Sequence, residues 1–211
     1  MLINLNVDIE QINDEGVAAV FHLFQPERPQ DFDPSTEFLQ ILAAKDFLGF
    51  DSTHSEARWC PLHRASAYGT SLDVDFLIRR GASTESVDFY CWTPLFIATG
   101  YKNIHTFNRL MEAFRPEYIN LQDQKGWNLL HVAIDAGNPD MISSLIRHGF
   151  EPRPLQSRFH SKETADVRLA PGDLASSLGE DIYTNFISGL HMAGMQVSAD
   201  SEDIFWPLDS S

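Results

Sequence analysis

The sequence predicts an all-α solenoid of stacked antiparallel helix pairs, preceded by a helical N-terminal cap. Three observations carry that prediction. First, one pattern recurs as Trp59-Cys60-Pro61-Leu62-His63-Arg64-Ala65, Trp92-Thr93-Pro94-Leu95-Phe96-Ile97-Ala98 and Trp127-Asn128-Leu129-Leu130-His131-Val132-Ala133, at shifts of 33 and then 35 residues. Second, Pro61 and Pro94 stand where a first helical turn has no use for an N–H. Third, an apolar run follows each copy, and two of these runs stop at Gly81 and Gly149, which suit the left-handed residue at a helix end.

Taken in order, Ile9–Phe24 and Pro34–Leu48 form a degenerate capping pair of helices within an acidic region 1–54. The array spans 55–193. Its first unit, 55–87, holds helices at 61–68 and 72–80. The second, 88–120, holds helices at 94–101 and 104–113, with Thr93 as a plausible N-cap. The third, 121–155, has helices at 129–136 and 139–148, with Asn128 as N-cap. A weaker fourth unit, 166–193, starts at Ala170-Pro171-Gly172-Asp173-Leu174-Ala175 and gives helices at 171–178 and 181–192. The shift from Leu129 to Pro171 is 42, so the segment Glu151–Leu169 is expected to hold a longer loop. Leu62, Ala65, Leu95, Ala98, Leu130 and Ala133 recur at i, i+3 and put small Ala where neighbouring helices approach. No single pair buries its own apolar face, so stacked neighbours supply the core. Residues 194–211 read as an acidic, aromatic tail passing from order to disorder.

These units resemble ankyrin repeats, which run about 33 residues around a Thr-Pro-Leu-His-x-Ala core. The resemblance is close over 55–155. It implies that ligands meet the hairpin tips and the exposed face of the first helices. The family's variable positions fall on Glu56, Ala57, Trp59 and Tyr68, then Phe89, Tyr90, Trp92 and Tyr101, then Gln124, Lys125, Trp127 and Asp135. Three of the four Trp residues thus share one equivalent position. The expected partner-binding set is Trp59, Tyr68, Phe89, Tyr90, Trp92, Tyr101, Lys125 and Trp127. Aromatic residues are the commonest interface hot spots. The competing reading is that the same Trp side chains pack down over the hairpins as filler.

The charge is unevenly placed. The 211 residues carry 30 acids and 15 bases, a net of −15. Residues 1–57 hold 11 acids and 2 bases, residues 58–155 hold 10 of each, and residues 156–211 hold 9 and 3. Such acidity argues against direct nucleic-acid contact and against an anionic membrane surface. Fifteen Phe and four Trp make the chain too apolar to be disordered. Two Cys and no Asn-x-Ser/Thr sequon favour a reducing compartment, and Met1–Glu15 lacks the basic start of a signal peptide. The expectation is a monomer, cytoplasmic and/or nuclear.

Catalytic and cofactor patterns are missing: there is no His-Glu-x-x-His, Gly-x-Ser-x-Gly or Gly-x-Gly-x-x-Gly. Cys60 and His63 stand at the spacing of half a metal site, without a second pair. His63 and His131 are expected to hold their turns by hydrogen bonding. Asp173, Glu180 and Asp181 read as a solvated helix start, and His148 and His191 as complements to helix dipoles. The expected function is a non-catalytic scaffold without cofactor or metal that grips a protein partner. The alternative is a transcription coregulator working through a partner, because acidic flanks around irregular repeats are similar to those of filamentous-fungal ankyrin proteins that regulate toxin or secondary-metabolite genes. On that alternative Ile204-Phe205-Trp206-Pro207-Leu208, set among acids, resembles an activation segment; otherwise the tail folds back on the last repeat. An enzyme using the aromatic groove as a pocket ranks third.

Overall fold

Five of the eight described helices begin at a side-chain N-cap. The computed structural model describes residues 20, 21, 24, 53, 57–152, 171–197 and 204–205. The helices are α1 Pro61–Tyr68, α2 Ser71–Arg79, α3 Pro94–Gly100, α4 Ile104–Glu112, α5 Leu129–Ala136, α6 Pro139–Arg147, α7 Pro171–Leu178 and α8 Glu180–Met192. Their bounds lie within a residue of those expected. Thr93 accepts from Phe96 N and Asn128 from His131 N, as N-caps do. The second helices are capped likewise by Thr70, Asn103 and Asn138. Gly81 and Gly149 follow the second helices at φ 92° and 93°.

The chain divides into two compact units, Met1–Phe114 and Arg115–Ser211. In the first, α1 packs on α3 and α2 on α4, so equivalent helices of consecutive repeats lie side by side. Leu62, Ala65, Val74, Leu77, Ala98 and Phe107 are fully buried there. Polar bonds add register. Thr106 Oγ1 donates to Ser66 O at 2.8 Å, and Asn103 Nδ2 to Gly69 O at 2.9 Å. Arg109 donates twice to Asp75, holding that carboxyl below its ordinary range.

In the second unit α5 packs on α7 and α6 on α8. The closest approach is at Gly189. A Cβ there would stand 2.6 Å from Ile142 Cγ2 and 3.0 Å from Pro139 O, so only glycine lets α8 lie this near α6. Leu130, Met141, Leu145, Phe186 and Leu190 complete this core.

Part of the C-terminal segment is described and forms a short ladder. After α8, β1 Gln196–Val197 pairs antiparallel with β2 Ile204–Phe205, in the register Gln196 to Phe205 and Val197 to Ile204. β1 also lies against α8. The backbone of Ile204 and Phe205 is therefore engaged in a ladder. Two-residue strands carry no periodicity, which is why the sequence did not signal them.

The N-terminal helix pair expected at Ile9–Phe24 and Pro34–Leu48 lies almost wholly outside the described residues, as does most of the Glu151–Leu169 loop and residues 206–211. Val20, Phe21 and Phe24 are described, and all three are buried. Arg64 Nε donates to Phe24 O at 2.9 Å.

Candidate functional site

The hairpins before α3 and α5 are each built around an aspartate. Asp88 Oδ1 accepts from Tyr90 N and Trp92 N, both at 2.8 Å. Asp123 Oδ1 does the same for Lys125 N and Trp127 N, at 2.8 and 2.9 Å. Both are buried, and each folds the next four residues into a tight tip. The residue at the crest needs positive φ. Arg58, Cys91 and Gly126 occupy equivalent places, at 56°, 64° and 78°. Neighbouring tips in the first unit are tied together by Phe89 N donating to Ala57 O at 2.9 Å.

Each Trp then lies over the fourth residue after it, on the first turn of its own helix. Trp59 stacks on His63 and Trp127 on His131, with ring centroids 6.4 and 6.3 Å apart. Trp92 is tilted against Phe96 at 6.2 Å. Trp59 has a further tie, its Nε1 donating to Asp88 Oδ2 at 3.1 Å. Trp127 Nε1 is buried with no hydrogen-bond partner among the described residues. The position that would match Asp88 for Trp127 is 156, outside those residues.

The two histidines work as positioning groups in opposite tautomers. His63 Nδ1 accepts from Cys60 N, so Nε2 carries the proton and donates to Trp92 O at 2.9 Å. The Cys60 Sγ lies 3.0 Å from the same Nδ1. Burial pushes the His63 pKa below its ordinary 6.5, against the opposing pull of the Trp92 carbonyl and the Asp88 charge. In the second unit Asn128 Oδ1 accepts from His131 N, so the His131 Nδ1 must donate to it at 2.7 Å. Among the described residues no three His, Cys, Asp or Glu side chains come together as metal ligands.

Around this framework the first unit exposes aromatic surface. Tyr101, at the end of α3, meets Trp59 edge-on at 5.9 Å and Tyr68 edge-on at 5.2 Å. The Tyr68 hydrogen bond and then burial push the Tyr101 phenol up to about 12. Phe89 and Tyr90 form a second edge-to-face pair at 5.3 Å on the adjoining tip. Phe89, Tyr90 and Tyr101 are 54%, 56% and 44% exposed, which is high for large aromatic side chains.

Residues 62–156 match the family model for ankyrin repeats, in three copies. Residues 62–156 are an array of ankyrin repeats. Ankyrin repeats mediate protein–protein interaction and are generally non-catalytic. Among curated proteins, stretches of about 80 residues are similar to spider toxins. Identity is 40% to alpha-latrotoxin-Lt1a of Latrodectus tredecimguttatus, 38% to alpha-latrotoxin-Lh1a of Latrodectus hasselti and 36% to alpha-latrotoxin-Lhe1a of Latrodectus hesperus. Each match covers 37% of this chain and 6% of the toxin. The chain thus spans a small fraction of these relatives.

The ankyrin array places the expected binding residues in two groups. Trp59, Tyr68 and Tyr101 form one contiguous aromatic cluster in the first unit, with the Phe89–Tyr90 pair on the neighbouring tip. Trp92 belongs to the same unit but lies on Phe96. Lys125 and Trp127 belong to the second unit, where the Lys125 ammonium sits 5.5 Å above the Trp127 ring. The three Trp side chains are half-buried and fastened to their own helices. Among the aromatic ones, Phe89, Tyr90 and Tyr101 are turned to solvent. Sequence reasoning missed the organising role of Asp88 and Asp123. The signal was present, since both stand four residues before a Trp and open a tight turn.

Proposed function

We propose that this protein is a non-catalytic scaffold whose first unit binds a protein partner through its exposed aromatic face. The observation that carries this reading is the exposure of Phe89, Tyr90 and Tyr101 beside a rigid framework. Exposed aromatics of this size are hydrated at a cost that a fitting apolar partner recovers. Their supports, Asp88, His63 and Trp59, are fixed by hydrogen bonds, so little order has to be gained on binding. Lys125 and Trp127 are kept as a second, separate contact region.

Substituting all three Trp residues is a poor test, because Trp59 also holds Asp88 and covers His63. The combined variant Phe89→Ala, Tyr90→Ala, Tyr101→Ala is better. The full chain is expected to retain a discrete partner from cell extract, and the triple variant to retain about tenfold less, the equivalent of about 1.4 kcal/mol. Leu72→Ala, at a side chain 61% exposed, serves as the control and keeps the partner. Equal retention by the folded triple variant refutes the reading.

A second reading is a coregulator that acts through another DNA-binding protein, in the cytoplasm and/or nucleus. The acids of residues 198–211 favour it, while the ladder engages Ile204 and Phe205. Residues 194–211 fused to a heterologous DNA-binding domain would drive a reporter on this reading, and a silent fusion counts against it.

A further inference from the structure

Two of the four positive-φ positions described in the first unit carry cations where the second unit carries glycine. Arg58 at φ 56° matches Gly126, and Lys102 at φ 59° matches Gly137. A side chain held at positive φ strains the backbone, and strain of this kind persists where something else selects for the residue. Neither cation forms an ion pair with a described residue. Both are exposed, and they flank the aromatic cluster: Arg58 precedes Trp59 and Lys102 follows Tyr101. Arg64 adds a third positive charge, tethered through Nε to Phe24 O and near enough for its charge to act on the Tyr101 phenol.

Each acid of the same stretch is already held in a hydrogen bond or an ion pair. Across 57–102 they are Asp73, Asp75, Glu85 and Asp88. Asp73 caps α2 by accepting from Thr70, Asp75 is held by Arg79 and Arg109, Glu85 accepts from Thr84, and Asp88 is spent on its own tip and Trp59. The chain as a whole is acidic, yet this patch places three cations along an aromatic cluster made of the exposed Tyr101 and the half-buried Trp59 and Tyr68. A ligand complementary to it carries carboxylates alternating with apolar groups.

We infer that the Trp59–Tyr68–Tyr101 cluster, flanked by Arg58, Arg64 and Lys102, docks an acidic peptide segment of a partner protein whose apolar side chains lie on the rings. This rests on the reading that the first unit's aromatic face is the binding face, and it specifies the partner's chemistry. Arg58 and Lys102 act as steering and selecting charges at the rim. Their backbone strain is the cost of having them there.

The test uses the full chain and a fluorescent synthetic peptide in which Glu alternates with Leu and Phe, beside the same peptide with Gln for each Glu. The acidic peptide is expected to bind about tenfold more tightly at low salt, and the preference to fade as NaCl rises from about 0.05 to 0.5 M. The double variant Arg58→Gly, Lys102→Gly is expected to lose the preference while melting at a higher temperature than the parent. The pair Arg58→Gln, Lys102→Gln loses the preference without that gain, separating charge from strain. Equal binding of the two peptides overturns the inference, as does an unchanged preference in both double variants. If neither peptide binds while Phe89, Tyr90 and Tyr101 still govern partner capture, the acidic chemistry falls and the binding face stands.

Discussion

Removing the carboxylate of Asp88 should loosen the whole second hairpin. Its two oxygens accept three bonds, from Tyr90 N and Trp92 N at 2.8 Å and Trp59 Nε1 at 3.1 Å, and the side chain is only 4% exposed. A hydrogen bond to a charged acceptor contributes roughly 1.5 kcal/mol net, so Asp88→Ala is expected to cost about 4 kcal/mol. That is a large share of a stability of about 5–15 kcal/mol. Asp88→Asn isolates one of the three. Its oxygen can keep both backbone donors, while its NH2 group faces the Trp59 N–H donor to donor, for a cost of about 1.5 kcal/mol. Urea unfolding followed by tryptophan fluorescence measures both. In a background of Trp59→Phe, the Asn substitution should lose most of its effect, a coupling of about 1 kcal/mol. Equal midpoints for the Ala and Asn variants, or a cost for Asp88→Ala below about 0.5 kcal/mol, would refute the claim that this carboxylate organises the tip.

Gly189→Ala should destabilise by about 1–3 kcal/mol through overpacking against Ile142, with partial recovery when Ile142→Val is added; thermal melts check it. His63 has a depressed pKa in the fold, so its contribution is complete above about 6.5 and is lost as pH falls through the folded value. His63→Phe, which places at 63 the residue found at 96, should flatten the stability profile of the protein between about pH 7 and 5. Tyr101 is raised to about 12, so it should ionise later than an ordinary tyrosine in an ultraviolet titration, and Tyr68→Phe should bring it earlier. Stability should correspondingly fall as pH rises above the ordinary value of 10.

The helices were legible because their punctuation is local. Pro61, Pro94, Thr93, Asn128, Gly81 and Gly149 each act within one turn of the chain, so their meaning survives without tertiary information. The Trp positions were legible as a repeat, but their role was not. Both the binding and the filler readings fit the spacing, and the decision lies in where a ring turns. The i+4 pairs Trp59–His63, Trp92–Phe96 and Trp127–His131 offered a hint of helix-surface contact. The Trp59–Asp88 bond joins residues 29 positions apart and could be read only once the hairpins were in place. The net charge of −15 likewise concealed the cationic rim, since Arg58, Arg64 and Lys102 are gathered by the fold and not by the sequence. The β1–β2 ladder had no sequence signal at all, being two residues long on each side.

The central claim is that the exposed aromatic face of the first unit is where a protein partner sits. Hydrogen–deuterium exchange on the full chain, free and with the captured partner bound, tests it most directly. The expected result is new protection at the tips around Arg58–Trp59 and Phe89–Trp92 and at the Tyr101–Lys102 turn. Protection confined to α2 and α4, or to β1 and β2, with those tips exchanging as in the free chain, would contradict it.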